Sequence, residues 1–220
     1  MIEVDQVTVS YGQLVAVSDV SFRVPPGFVL AISGPSGAGK SSLLWAIAGA
    51  VPVKSGQVEV DGLVITDRPS AAAHGVVLIP QGNGLARVLT ARENLSMPLL
   101  ADRRPADDEA LEELDRAIEQ ALTQVGLEES GDHLVEELSG GEQQRVAVAR
   151  GIAQQGRVIL ADESTSELDS TNRERVLGLL HEEARRGAAV VIATHDPNVA
   201  DSADGHAVMD EGHLSWLRRL

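Results

Sequence analysis

FVLAISGPSGAGKSSLLWAIAGA, residues 28–50, runs through three textures in sequence. FVLAIS (28–33) is a continuous apolar run, as expected of a parallel strand buried on both faces. SSLLWAIAGA (41–50) is helix-forming. Between them GPSGAGKSS (34–42) fits G-x-x-x-x-G-K-[ST]. Gly34, Gly37 and Gly39 allow backbone angles that turn successive N–H groups toward a phosphate, and the helix start adds its dipole. Pro35, Ser36 and Ala38 fill the variable positions, Lys40 is placed to reach β- and γ-phosphates, and Ser41, followed by Ser42, offers a hydroxyl to Mg²⁺. A strand–loop–helix of this kind is a nucleoside triphosphate site.

Outward from that loop, the N-terminal IEVDQVTVSY and AVSDVSFRV alternate apolar and polar residues, as half-buried strands do. GQVEVDGLVI (56–65) reads as a hairpin around Asp61-Gly62. GVVLIP (75–80), RVILAD (157–162), AAVVIATH (188–195) and HAVMDEGHL (206–214) are strand-like, and VLGLLHEEARRG is a crossover helix between two of them. From Gly82 to Gly151 the texture is helical, with apolar residues at 111, 114, 118, 122 and 125 and Gly126 as a stop signal. The chain is therefore expected to be one α/β domain. Residues 1–81 and 151–220 form a parallel-sheet core with an N-terminal antiparallel β part, and 82–150 an inserted α-helical subdomain. The acidic stretch 101–113 is expected to be solvated.

Composition narrows the function. Asp+Glu 33 against Lys+Arg 18 gives a net charge of −15, which repels nucleic-acid backbones and anionic lipid surfaces. With Cys 0 there are no disulfides, no thiol nucleophile and no cysteine-held zinc. The longest apolar run, AAVVIA (188–193), is far shorter than the roughly 20 residues a bilayer needs. A cytoplasmic location without direct membrane insertion and without nucleic acid is expected, so any membrane role requires a partner.

Two further stretches carry chemistry. VILADES ends a buried strand in Asp162 and Glu163, at the strand end where open parallel sheets bind ligands. Asp162 is expected in the Mg²⁺ shell, and Glu163, pointing the other way, as general base toward water. An acidic turn after a strand is the plainer alternative. LSGGEQQR (138–145) is a second glycine-rich loop entering a helix, with Ser139 as N-cap and Glu142 at capping-box spacing. Ser139, Gly140 and Gly141 suit a second phosphate, although an ordinary N-cap explains SGGE taken alone.

With these motifs in order the chain resembles the nucleotide-binding domain of an ABC ATPase, end to end. GPSGAGKSS resembles its Walker A, RVILADES its Walker B and LSGGEQQR its signature motif. Gln81 resembles the glutamine loop, SELD (166–169) the D-loop, His195 in ATHD the switch histidine, and Tyr11 in VSYGQ the aromatic that stacks on adenine. The resemblance implies ATP and Mg²⁺ as cofactors and an ATP-dependent homodimer. Two copies would pack head to tail, so that the Ser139–Glu142 segment of one closes over ATP on the Walker A of the other. It also implies Gln81 near Mg²⁺ and the attacking water, His195 at the γ-phosphate, and Asp169 coupling the two sites. Taken singly, Gln81 is a loop residue, His195-Asp196 a capping pair and Tyr11 an edge-strand aromatic; the remaining histidines (74, 133, 181, 206, 213) read as surface.

Two departures stand out: Ser164 where the family commonly has proline, loosening the backbone past Glu163, and Glu167, which adds negative charge at the dimer seam. LTARENLSMPLL (89–100) resembles the lipoprotein-releasing and macrolide-exporter group, whose ATPases drive a separate transmembrane permease subunit by mechanotransmission from the inner face of the membrane. The cell-division ATPase that regulates wall hydrolases is the near rival. DNA-repair and translation ABC ATPases fit less well by length, charge and lack of cysteine.

Overall fold

In the computed structural model, residues 1–102 and 108–220 are described. Part of the acidic stretch, 103–107, lies outside them, while Asp108, Glu109, Glu112 and Glu113 beyond it are exposed, as expected.

Strands β1 (Ile2–Tyr11) and β2 (Leu14–Val24) pair antiparallel, and β1 also pairs with β4 (Ser55–Val60). With β5 (Leu63–Val64) they form a four-stranded sheet in the order β2-β1-β4-β5. Alternation along β1 is broken once: buried residues run Ile2, Val4, Val7, Val9, the extra step falling at a register shift where Gln6 has φ 48°. The β4–β5 turn is Asp61-Gly62, both with positive φ, as its dipeptide predicts.

The second sheet holds β3 (Val29–Ser33), β6 (Val76–Ile79), β7 (Val158–Asp162), β8 (Ala189–Thr194), β9 (Gly205–Asp210) and β10 (His213–Arg218), in the order β10-β9-β3-β8-β7-β6. All its pairings are parallel except β9–β10. HAVMDEGHL is thus not one strand but two, turned at Glu211-Gly212. Glutamate is an uncommon residue at positive φ, so the turn gives little local sign.

Seven α-helices are found among the described residues: α1 (Lys40–Ile47), α2 (Arg68–Ala73), α3 (Ala91–Asp102), α4 (Asp108–Gln124), α5 (Gly140–Ala153), α6 (Ser170–Arg185) and α7 (Pro197–Ser202). The helix expected over 41–50 ends at Ile47, with Gly49 in left-handed backbone. The crossover helix starts earlier than VLGLL, because Asp169 caps it by accepting the Asn172 amide at 2.8 Å. The short capped α2 and α7 are too brief to show a period.

The parallel sheet divides two cores. Val29, Ala31, Ile159, Ala161, Val190 and Ile192 face α3, α4, α5 and α6. Leu30, Ile32, Val158, Leu160, Val191 and Ala193 face α1 and the antiparallel sheet. Burial on both faces is why β3, β7 and β8 read as unbroken apolar runs. On α4 the predicted stripe is covered from Leu114 onward, whereas Leu111 stays exposed.

Candidate active site

The loop between β3 and α1 is gripped from two sides. A Cβ on Gly34 (φ 143°) would lie 2.1 Å from the Met209 carbonyl oxygen, and one on Gly39 (φ 106°) 2.1 Å from that of Ala16. Any side chain at either place collides with fixed backbone, so β9 and β2 hold the loop only because glycine stands there. The β9–β10 turn adds the Gly212 amide, which donates to the Ala38 carbonyl at 3.0 Å. Tyr11 ends β1 on the hairpin whose β2 strand touches Gly39; its ring is exposed. Pro35, Ser36 and Gly37 are exposed, Ala38 is buried and Ser42 half-buried.

Lys40 is 6% exposed, and its Nζ donates to the carbonyls of Gly34 (2.8 Å) and Pro35 (3.0 Å) while lying 3.7 Å from Glu163 Oε1. Asp162 shares strand parity with Leu160, so it faces α1 rather than the opposite core. There Ser41 Oγ donates to Asp162 Oδ1 at 3.0 Å. Asp162 is fully buried, and burial pushes its pKa up, with the Ser41 hydroxyl pulling the other way. Its Oδ2 has no hydrogen-bond partner among the described residues. An orphaned buried carboxylate oxygen beside a hydroxyl is an all-oxygen donor pair suited to a hard cation such as Mg²⁺.

Glu163 lies one residue past β7 in left-handed backbone (φ 50°), so strand alternation does not set its direction. Its amide donates to the Ala193 carbonyl at 3.0 Å. Its Oε2 meets Nδ1 of His195 at 2.7 Å. His195 follows β8, whose register pairs Asp162 with Ala193, so the two strand ends bring acid and imidazole together. Asp196, next to it, caps α7 by accepting the Asn198 amide at 2.9 Å. The capping reading of His195-Asp196 therefore holds for Asp196, whereas His195 joins the Glu163 carboxylate instead.

Gln81 lies exposed beyond Pro80. At the second glycine stretch, Ser139 caps α5 as predicted, and the box closes on itself. Ser139 Oγ donates to Glu142 Oε2 at 2.6 Å, the Ser139 amide donates to the same oxygen at 2.9 Å, and the Glu142 amide donates to Ser139 Oγ at 3.4 Å. These bonds hold the Glu142 carboxyl below the usual carboxylate range. Among the described residues no hydrogen bond or ion pair joins Gln81 or Ser139–Glu142 to Lys40, Ser41, Asp162 or Glu163. Gly140 is exposed, and Oε2 of Glu167 lies 2.5 Å from where its Cβ would be. Of the other histidines, His133 and His213 are exposed, but His74, His181 and His206 are half-buried, and His206 Nε2 lies 2.7 Å from Ser33 Oγ.

Sequence reading passed over Gln144. It is buried, on the α5 stripe with Val148 and Ile152, and it bonds the chain just past Glu163. A polar residue at helical spacing on an apolar stripe was the available signal.

A loop, a strand-end carboxylate pair and a capped glycine turn in this arrangement invite comparison with known proteins. The profile of the ABC transporter family matches residues 17–166. The chain belongs to that family. Across 96% of its length it is 36% identical to the macrolide export ATP-binding/permease protein MacB of Marinobacter nauticus, of which the match spans 35%. The glutamate/aspartate import ATP-binding protein GltL of Escherichia coli is 34% identical over 97% of this chain and 89% of its own. The methionine import ATP-binding protein MetN 1 of Listeria monocytogenes is 36% identical over 97% of this chain and 65% of its own. The dimeric structure of MJ0796, a bacterial ABC transporter cassette, superposes with TM-score 0.90 at 32% identity, covering both chains fully. A dimeric post-hydrolysis state of the same cassette, bound to ADP and Pi, gives 0.88. The chain is thus an ABC ATPase of mixed α/β fold, and among its described residues no helix is long and apolar enough to cross a membrane.

Proposed function

We propose that this ABC ATPase powers a transporter of the export or mechanotransmission type, as an ATP-dependent homodimer seated on a separate transmembrane permease subunit at the inner face of the membrane. In this reading residues 34–42 wrap the β- and γ-phosphates, with Lys40 turning from the loop carbonyls to the anion, and Tyr11 stacks on adenine. Ser41 and Asp162 hold Mg²⁺ with Gln81 near it. Among the described residues no group of three or more His, Cys, Asp or Glu side chains is placed to hold a metal ion by itself, so the nucleotide would have to share in binding it. Held there, Mg²⁺ would supply positive charge to offset that of the transferred phosphoryl group.

Glu163 takes a proton from the water that attacks the γ-phosphorus, and ADP leaves. His195 keeps the Glu163 carboxylate oriented and reaches the γ-phosphate. Ser139, Gly140 and Gly141 come from the partner copy; Glu142 serves through its cap. The helical lobe 82–150 carries this second half of the site. The observation that carries the reading is the Glu163 carboxylate, held between Lys40 at 3.7 Å and His195 at 2.7 Å beside the phosphate loop. Export is supported by LTARENLSMPLL and the MacB likeness at 36% identity; the importers MetN 1 and GltL stand at 36% and 34%.

Glu163→Gln tests the reading. Steady-state hydrolysis is expected to fall by about 10²–10⁴-fold. Light scattering with ATP and Mg²⁺ is expected to show a trapped dimer; a monomer at high concentration, or undiminished hydrolysis, breaks the proposal. The same variant, tagged and recovered with ATP from detergent-solubilised membranes, identifies the partner. A subunit with few spans and a large extracytoplasmic domain supports mechanotransmission, and a many-span permease overturns it.

A further inference from the structure

Glu163 occupies backbone that non-glycine residues avoid (φ 50°), so something must hold it there. One end is tied to the sheet through Ala193. The other is tied to α5: Gln144 Nε2 donates to the Glu163 carbonyl at 2.9 Å, and the Ser166 amide donates to it at 3.2 Å. The other end of the same side-chain amide accepts the Glu167 N–H at 2.9 Å. Both bonds are made only with the amide in this orientation, since a carbonyl needs a donor and an N–H an acceptor. Gln144 is 5% exposed, so neither bond is readily replaced by water. Around it the first turn of α5 presses on the loop after Glu163; a Cβ on Gly141 would come within 3.3 Å of the Glu167 carbonyl oxygen.

Ser164 sharpens the point. It is buried and its Oγ has no hydrogen-bond partner among the described residues, so the residue following Glu163 supplies no side-chain anchor of its own. The amide of Gln144 does. It stands five residues, little more than one turn, after the Ser139 cap, on the same rigid helix.

We infer that Gln144 is a positioning residue that fixes the Glu163 backbone from the signature helix, so that a shift of Ser139–Gly141 is transmitted to the hydrolytic carboxylate of the same chain. This rests on the proposed role of Glu163 and extends it: one ATP site reports its closure to the other through a single side-chain amide.

The test replaces Gln144 by methionine, which keeps length and loses both bonds, and by glutamate, which keeps an acceptor for the Glu167 N–H but loses the donor to the Glu163 carbonyl. Both are measured as the full-length homodimeric ATPase. Expected is a fall in kcat of about tenfold or more, as for a displaced catalytic group. ATP affinity should stay within about twofold, since binding does not need the strut. In the Glu163→Gln background, Gln144→Met should still dimerise with ATP. Unchanged kcat in either variant overturns the inference. So does a joint fall of kcat, ATP affinity and dimerisation, which marks mere loss of structure. If Glu163→Gln itself hydrolyses ATP at the full rate, the catalytic reading fails and the strut with it. If Glu163→Gln is inactive while Gln144→Met is not, the strut alone fails.

Discussion

The two glycine-rich stretches, 34–42 and 138–145, are built from the same parts and end in opposite states. Each is a loop that enters a helix and exposes amide groups to an anion. The first lies wedged between the backbones of Met209 and Ala16, with a buried lysine across it and two carboxylates at its edge. The second stands at the surface, and its serine hydroxyl and amide are already taken by Glu142 of the same turn. Around one stretch stand a lysine, a serine hydroxyl and two carboxylates. The other has only a capped helix start. That asymmetry is what the proposed site, shared between two copies, requires.

The comparison breaks most visibly at Lys40. Lys40→Ala removes the cation of the first stretch and leaves the second intact, so ATP binding is expected to weaken by about a hundredfold or more while the fold holds. Titration with a fluorescent ATP analogue measures it. Binding within tenfold of the parent protein would mean that the first stretch is not the complete primary site.

A smaller effect, of opposite sign in stability and activity, is expected at Asp162. Its pKa is raised in the folded protein, so near neutral pH the ionised form opposes folding, and stability from this group falls as pH rises through the aspartate range. Asp162→Asn removes that cost and keeps an acceptor for Ser41. Without nucleotide, Tm should rise by about 2–4 °C for each kcal/mol recovered, and its pH dependence should flatten. Mg²⁺-dependent hydrolysis should fall by about tenfold or more. A lower Tm would show that the ionised carboxylate stabilises the loop instead.

The fold was legible wherever burial is two-sided or a turn is chemically marked. β3, β7 and β8 stand out as unbroken apolar runs, and Asp61-Gly62 announces its hairpin. Glu211-Gly212 does not, because glutamate is not a turn former at positive φ, and two strands read as one. The phosphate loop, both carboxylates and the capping box follow from spacing alone. The tie from Gln144 does not: the glutamine stands within LSGGEQQR, but its meaning lies in the carbonyl that another segment presents to it. The direction of Glu163 is invisible for a similar reason, since it depends on backbone that has left the strand. Ser164, expected to loosen that backbone, is buried in a loop that α5 already holds.

The smallest effect tests the second stretch on its own terms. Ser139 holds the Glu142 carboxyl below the ordinary range, so the stability it adds is fully present above the usual glutamate pKa and is lost as pH falls through the lower folded value. The carboxylate also sits at the helix start where the proposed reading brings the partner's phosphate, and like charges there would compete. Glu142→Gln keeps the box geometry, since glutamine serves at that position, but removes the charge. The fold should lose only about 0.5 kcal/mol, the worth of an anion at a helix N-terminus. ATP-dependent dimerisation, followed by light scattering in the Glu163→Gln background, should tighten by about two- to fivefold as the repulsion goes. Weaker dimerisation would mean that the charge of Glu142 assists closure, and the second stretch would then be a preformed site, not one that waits for a partner's anion.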